Sequence, residues 1–185
     1  MLFNKKVLKR SDRQTNSLTS LPKLKIANKQ FTLSNKVKFS GVGLHSGKKI
    51  NMTLHPSDEN TGIIFRLKSK YGLTSDIEAI YNNVSDTFLC TKLKNEEGYC
   101  VSTTEHLLSS LYSLNIDNLI IEIDNNEIPI LDGSSKVFFE AISKVGLSEQ
   151  NSFKKFIKIK NTLEVSNGNS YARVSPNTET IISCE

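Results

Sequence analysis

Apolar and polar residues alternate in several short stretches of the 185-residue chain. In KINMTLHP, residues 49–56, Ile50, Met52 and Leu54 fall on one side, the period of two that marks a strand with one buried face. GIIFRL, residues 62–67, follows the polar turn PSDENTG and reads as the hairpin partner of that strand. Residues 67–87 scatter Tyr71, Ile77, Ile80, Tyr81 and Val84 among polar groups and predict a loop-rich insertion with room for one short strand or helix. TFLCTKL (87–93) and GYCVST (98–103) predict a second strand pair around a turn from Asn95 to Gly98. NLIIEI, residues 118–123, is a continuous apolar run of the length of a buried strand.

Between these stretches the period becomes helical. Leu107, Leu108, Leu111 and Leu114 form one apolar stripe, and Asn115 is a stop signal. Ahead of the stripe, Ser102-x-x-Glu105 has the spacing of a capping box, in which the serine hydroxyl and the glutamate carboxylate satisfy each other's backbone N–H groups. A second helix is expected over KVFFEAISKV, residues 136–145, with Gly146 just past its end where a positive φ is usual. The resulting fold class is α/β (α+β) in two layers, a mixed or antiparallel sheet with two helices on one face. Order is expected from about Phe31, and residues 31–150 form this first domain.

After Gly146 the chain turns polar. FIKIKNTLEV (156–165) then alternates, SNGN turns, and YARVSP (171–176) reads as a paired strand. No helix follows that could cover the pair, and a lone two-stranded sheet is marginal in water. Residues 151–185 are therefore expected to be the incomplete start of a second, similar domain, or else to pack on the first.

The net charge of +5 changes this picture only at one end. Residues 1–30 hold eight basic residues and one acid, a net +7, whereas the other 155 hold 16 basic and 18 acidic residues, a net −2. The high pI belongs to a basic tail, not to a face of the fold, so nucleic-acid binding is not expected. The tail is rich in Lys, Ser, Thr and Asn. Two readings stay open: a disordered solvated extension (or an early start codon), and an organellar transit peptide. No apolar run approaches the ~18 residues of a membrane span. A cytoplasmic, monomeric protein is expected, organellar if the tail is a transit peptide. Three cysteines (Cys90, Cys100 and Cys184) with no CxxC spacing argue against a disulfide framework and a thiolate zinc knuckle. Cys90 and Cys100 flank the expected hairpin and could meet across it.

Candidate chemistry is sparse. SGVGLHSGKK fails as a phosphate loop, because Gly47 lies six residues after Gly41 and four after Gly43, and Lys49 stands where Ser or Thr is required. It also fails as a dinucleotide loop, since Ser46 replaces the third glycine. A glycine-rich turn remains, with His45 free to face a site or solvent. Glu105 and His106 stand side by side at a helix start. Taken alone they read as a cap beside an ordinary histidine. No HExxH exists, and the other histidines, His45 and His55, are remote in sequence.

Several stretches together alter that reading. FSGVGLHSGKKINMTLHPSDENTGIIFR, DTFLCTKL, VSTTEHLLSSLYSLNIDNLIIEID and EIPILDGSSKVF occur in an order and spacing that closely resemble the UDP-3-O-acyl-N-acetylglucosamine deacetylase family, zinc enzymes of lipid A biosynthesis. The resemblance runs from about Gln30 to the C-terminal end, with KKFIKIKNTLEV similar to the first strand of that family's second domain.

The resemblance implies zinc-dependent hydrolysis of the acetamide of a UDP-linked acylated aminosugar. It implies that His106 is a zinc ligand and Glu105 the catalytic base. It implies that His45 lies near the site, and that Leu89, Cys90 and Thr91 of FLCT contact substrate beside the metal. Asp132 and Gly133 match a DGS turn read as structural. The departure is large: the family draws its other two zinc ligands, a His and an Asp four apart on a helix, from the second domain, together with a lysine and a further histidine. After Ser152 this chain has no histidine. An inactive N-terminal fragment is the leading expectation, and a non-catalytic truncated relative acting as a binding or regulatory module is the alternative.

Overall fold

The structure is a computed structural model that describes residues 29–68 and 74–183, so nearly all of the basic tail, together with Tyr71 and Cys184, falls outside it. In chain order the strands are β1 (Lys29–Leu33), β2 (Val37–Val42), β3 (Lys49–Pro56), β4 (Ile63–Lys68), β5 (Thr74–Glu78), β6 (Val84–Asp86), β7 (Lys92–Lys94), β8 (Cys100–Val101) and β9 (Leu119–Ile123). After them come β10 (Leu147–Phe153), β11 (Leu163–Asn167) and β12 (Ser170–Val174). Two α-helices interrupt the strands, α1 (Glu105–Ser113) and α2 (Lys136–Val145). A 3-10 turn occupies Tyr81–Asn83.

The central sheet has five strands in the order β2-β3-β9-β4-β5. It is mixed: β9 runs antiparallel to β3 and parallel to β4. GIIFRL is a strand as expected, but it does not pair with β3. The buried run β9 takes the place between them, with Leu54 and Phe65 flanking Ile121 in register. Pairing on both edges places β9 at the centre of the sheet, a long-range arrangement that local hairpin logic does not see.

One face of the sheet is apolar. Ile50, Met52, Leu54, Phe65, Ile77, Ile121 and Ile123 join Leu107, Leu111, Phe138 and Ile142 of the two helices in a single buried cluster. Phe39 of β2 meets Phe138 of α2 edge-to-face, with centroids 5.0 Å apart and planes at 62°. The opposite face carries ion pairs, Arg66–Asp76 at 2.7 Å and Lys68–Glu122 at 3.6 Å. This is the two-layer α/β arrangement expected from the sequence.

The insertion holds more regular structure than its scattered pattern suggests: β5 extends the main sheet, and β6-β7-β8 form a separate small sheet. The expected strand over residues 87–93 shrinks to Lys92–Lys94. Its upstream half becomes a loop, because Leu89 adopts φ 59° and Phe88 turns back to bond the Asp86 carboxylate. Asn95 to Gly98 does turn the chain, with the Gly98 N–H bonded to Asn95 O. Cys100 pairs with Lys94 in register, not with Cys90, and both cysteines are free thiols.

Helix α1 ends as expected at Asn115, which sits at φ 59°. The Ile116 N–H reaches back to Leu111 O and the Asn115 N–H to Tyr112 O, the paired bonds of a Schellman stop. Gly146 after α2 has φ 82°.

The chain then runs into β10, which pairs antiparallel with β1. Lys154 just beyond it bonds Asp117 at 2.9 Å and the Asn115 carbonyl at 3.1 Å, holding the outgoing chain at the C-terminal end of α1. FIKIK is not a strand; pairing resumes at Leu163, where β11 and β12 form an antiparallel hairpin. Leu163, Val165, Ala172 and Val174 share one face of it, and all of its residues are exposed.

Candidate active site

Three loops meet where helix α1 begins. The predicted capping box is absent. Ser102 instead donates its hydroxyl and its N–H to Asn126 O, and it bridges to Glu127 in parallel register. The N-cap is Thr104, which makes no side-chain cap bond. Between Ser102 and Thr104 the backbone passes through φ 59° at Thr103, a conformation that costs a β-branched residue energy and that the surroundings must hold in place. This turn moves Ser102 out of capping reach and frees the Glu105 carboxylate for another partner.

That partner is the FLCT loop. Glu105 Oε2 accepts the Thr91 N–H at 2.9 Å. Thr104 donates its hydroxyl to Thr91 O at 3.1 Å and its N–H to the same oxygen at 3.3 Å. Both backbone groups of Thr91 are thus clamped by the residues that open the helix. Glu105 Oε1 has no hydrogen bond among the described residues. Glu105, His106, Cys90 and Thr91 are all half-buried. Leu89 is 75% and Phe88 78% exposed, an apolar tip on the loop that leads into Thr91. Of the sequence-predicted residues, the fold therefore brings Glu105, Thr91 and their chain neighbours together directly.

His45 arrives from a different direction, on the glycine-rich turn after β2, and it is exposed. It is tied to the same region by Glu127, a residue the sequence reading passed over. The Glu127 side chain is buried (2% exposed). One oxygen accepts the His45 N–H at 2.8 Å, and the other the Ser46 N–H at 2.9 Å. The Thr103 hydroxyl lies 3.4 Å from Oε1. Burial pushes this carboxyl up, but the bonds from His45 and Ser46 outweigh it, and the net shift is downward from 4.5. An acid at the head of the apolar run EIPIL was the available signal. A charged residue there is either exposed or bonded, and only the fold says which.

The DGS turn is built as expected: Asp132 accepts the Ser134 N–H and hydroxyl, and Gly133 has φ 80°. His55 lies on β3 opposite Ile120, in the sheet and not at the helix start.

A catalytic zinc needs about three protein ligands and an open position. Among the described residues no three His, Cys, Asp or Glu side chains come together as such a group. His106 is one available ligand, and the neighbouring carboxylate is already committed through Oε2, so this donor set does not fit a zinc centre by itself.

A model of the family described as UDP-3-O-acyl N-acetylglycosamine deacetylase matches residues 30–185. The chain belongs to this family. Proteins named UDP-3-O-acyl-N-acetylglucosamine deacetylase are similar to it along 148 residues: 46% identity for that of Haemophilus influenzae strain PittEE, 48% for that of Idiomarina loihiensis and 45% for that of Pseudoalteromonas atlantica. In each case the match covers 80% of this chain and 48% of the relative, so the chain spans about half the length of these deacetylases. Among the described residues no helix is long and apolar enough to cross a membrane.

Proposed function

We propose that this chain carries the first half of a zinc-dependent deacetylase site, acting on the acetamide of a UDP-linked, acylated N-acetylglucosamine in the synthesis of lipid A. The observation that supports it most is the Glu105 carboxylate. One oxygen is pinned by a backbone N–H and the other has no partner among the described residues, at a helix start beside an imidazole.

A general base must be held still and within reach of the proton it takes. Glu105 Oε1 takes a proton from the attacking water, and hydrolysis of the C–N bond releases acetate and leaves a free amine on the sugar. His106 supplies one ligand of the zinc. When bound, that ion supplies Lewis acidity at the acetamide carbonyl, and its other protein ligands are not among the described residues. His45, Leu89, Cys90 and Thr91 line the approach, with Leu89 offering apolar surface to the acyl chain.

The first domain closes with β10, which pairs with β1, and the residues after it open a second, whose completion this site requires. The 185-residue polypeptide alone is accordingly without turnover. The test compares it with the intact protein expressed from its gene, assayed for acetate release from the UDP-linked substrate with and without chelator. Chelator-sensitive turnover by the intact protein alone supports the reading. Turnover by neither favours a non-catalytic binding module.

A further inference from the structure

The mechanism uses Glu105 and His106 but leaves one buried acid without a task, and Glu127 is placed where two parts of the site must be kept in register. Its carboxylate spans two successive backbone N–H groups of the His45 turn, on separate oxygens, and the Thr103 hydroxyl stands 3.4 Å from the first of them. Thr103 is the residue in positive φ that aims the start of α1. A single side chain therefore contacts both the loop that presents His45 and the strained turn that presents Glu105.

Gly43 adds an independent observation. It does not adopt a positive φ, so conformational freedom does not explain it. A Cβ built there would lie 2.3 Å from Glu127 Oε2 and 2.4 Å from Ser46 Oγ. A side chain at this position would push the Glu127 carboxylate off its bonds to His45 and Ser46. Two positions far apart in sequence are thus shaped around the same contact.

We infer that Glu127 is a positioning residue of the site: it holds the His45 turn against the start of helix α1 through charge-assisted bonds to His45 and Ser46, and so sets substrate binding. This rests on the deacetylase reading of Glu105 and His106. A neutral amide cannot substitute. Gln would keep one acceptor and turn an NH2 toward a backbone N–H, leaving a buried donor unpaired.

The experiment uses the intact protein with Glu127→Gln and Gly43→Ala. Both variants are expected to raise KM for the UDP-linked substrate about tenfold while kcat stays within about threefold, the pattern of lost ground-state and transition-state binding together. Amide hydrogen exchange of residues 43–48 is expected to quicken in both variants, with the helix α1 amides still protected. A purely structural acid would instead lower the melting temperature and leave KM of the folded fraction unchanged, and that result overturns the positioning role. So does unchanged exchange at residues 43–48. Absence of turnover in the wild-type protein is a different failure. It overturns the deacetylase reading itself, not the loop contact.

Discussion

Glu105 accepts the backbone N–H of Thr91 through Oε2 at 2.9 Å, which joins the first residue of helix α1 to a loop 14 residues earlier in the chain. A carboxylate so held gives up little freedom when it acts, because its orientation is already set. The same bond means that removing the carboxylate has two effects. It deletes a base, and it strands a backbone donor.

Glu105→Ala in the intact protein is expected to lower kcat by about 10²–10⁴-fold, the usual range for a general base. It is expected to cost about 0.5–1.5 kcal/mol of stability from the lost bond to the half-buried Thr91 N–H. Zinc content measured by metal analysis should stay near the wild-type level. Equal loss of metal and rate would show that the residue acts through the helix start instead.

His106→Ala separates the neighbouring roles. Its imidazole is the one donor at this helix start proposed for the metal, so the variant should lose bound zinc as well as turnover. The 185-residue chain, which does not bring a three-ligand set together among its described residues, should bind zinc far more weakly than the intact protein. Isothermal titration on both forms checks this. Similar affinities would remove the metal from the proposed site.

Acid should loosen the Glu127 contact. Its folded pKa lies below 4.5, held there by the His45 and Ser46 bonds against the cost of burial. A depressed carboxyl contributes stability that is complete above the unfolded value and is lost as pH falls through the folded one. Below about pH 4.5 the wild type should therefore lose stability more steeply than Glu127→Gln, by at most ~1.4 kcal/mol per pH unit for one proton. Urea midpoints from pH 6 to pH 3 give the comparison, and parallel curves would assign Glu127 no net part in acid sensitivity.

Ile121 tests the strand order. It is fully buried at the centre of the sheet, between Leu54 and Phe65. Ile121→Ala should cost about 2–5 kcal/mol, the range for a large buried aliphatic. Alanine at Ile120, which faces the other side and is half-buried, should cost clearly less. Chemical denaturation of the two variants measures the difference.

Much of this fold is legible in local pattern. The period-two run at Ile50, Met52 and Leu54, the leucine stripe of α1, the helix over Lys136–Val145 and the stops at Asn115 and Gly146 all follow from side-chain spacing and turn chemistry. The Glu105–His106 pair was visible too, though only the neighbouring motifs distinguished it from a cap.

What local pattern could not supply is pairing across distance. That β9 inserts between β3 and β4 depends on which apolar faces bury most area together, a property of the assembled sheet. The failed capping box has the same origin. Ser102 and Glu105 have the right spacing, but their hydrogen-bonding groups were claimed by Asn126 and Thr91, partners 24 and 14 residues away. Glu127 likewise carries no local signal of its role, and becomes a buried clasp only when the His45 turn folds over it. The sequence by itself determined the strongly periodic elements, among them β3, β9, α1 and α2, and the chemistry available at the helix start. Tertiary structure decided which groups that chemistry faces, because a hydrogen bond goes to whichever partner the packed chain brings within 3 Å.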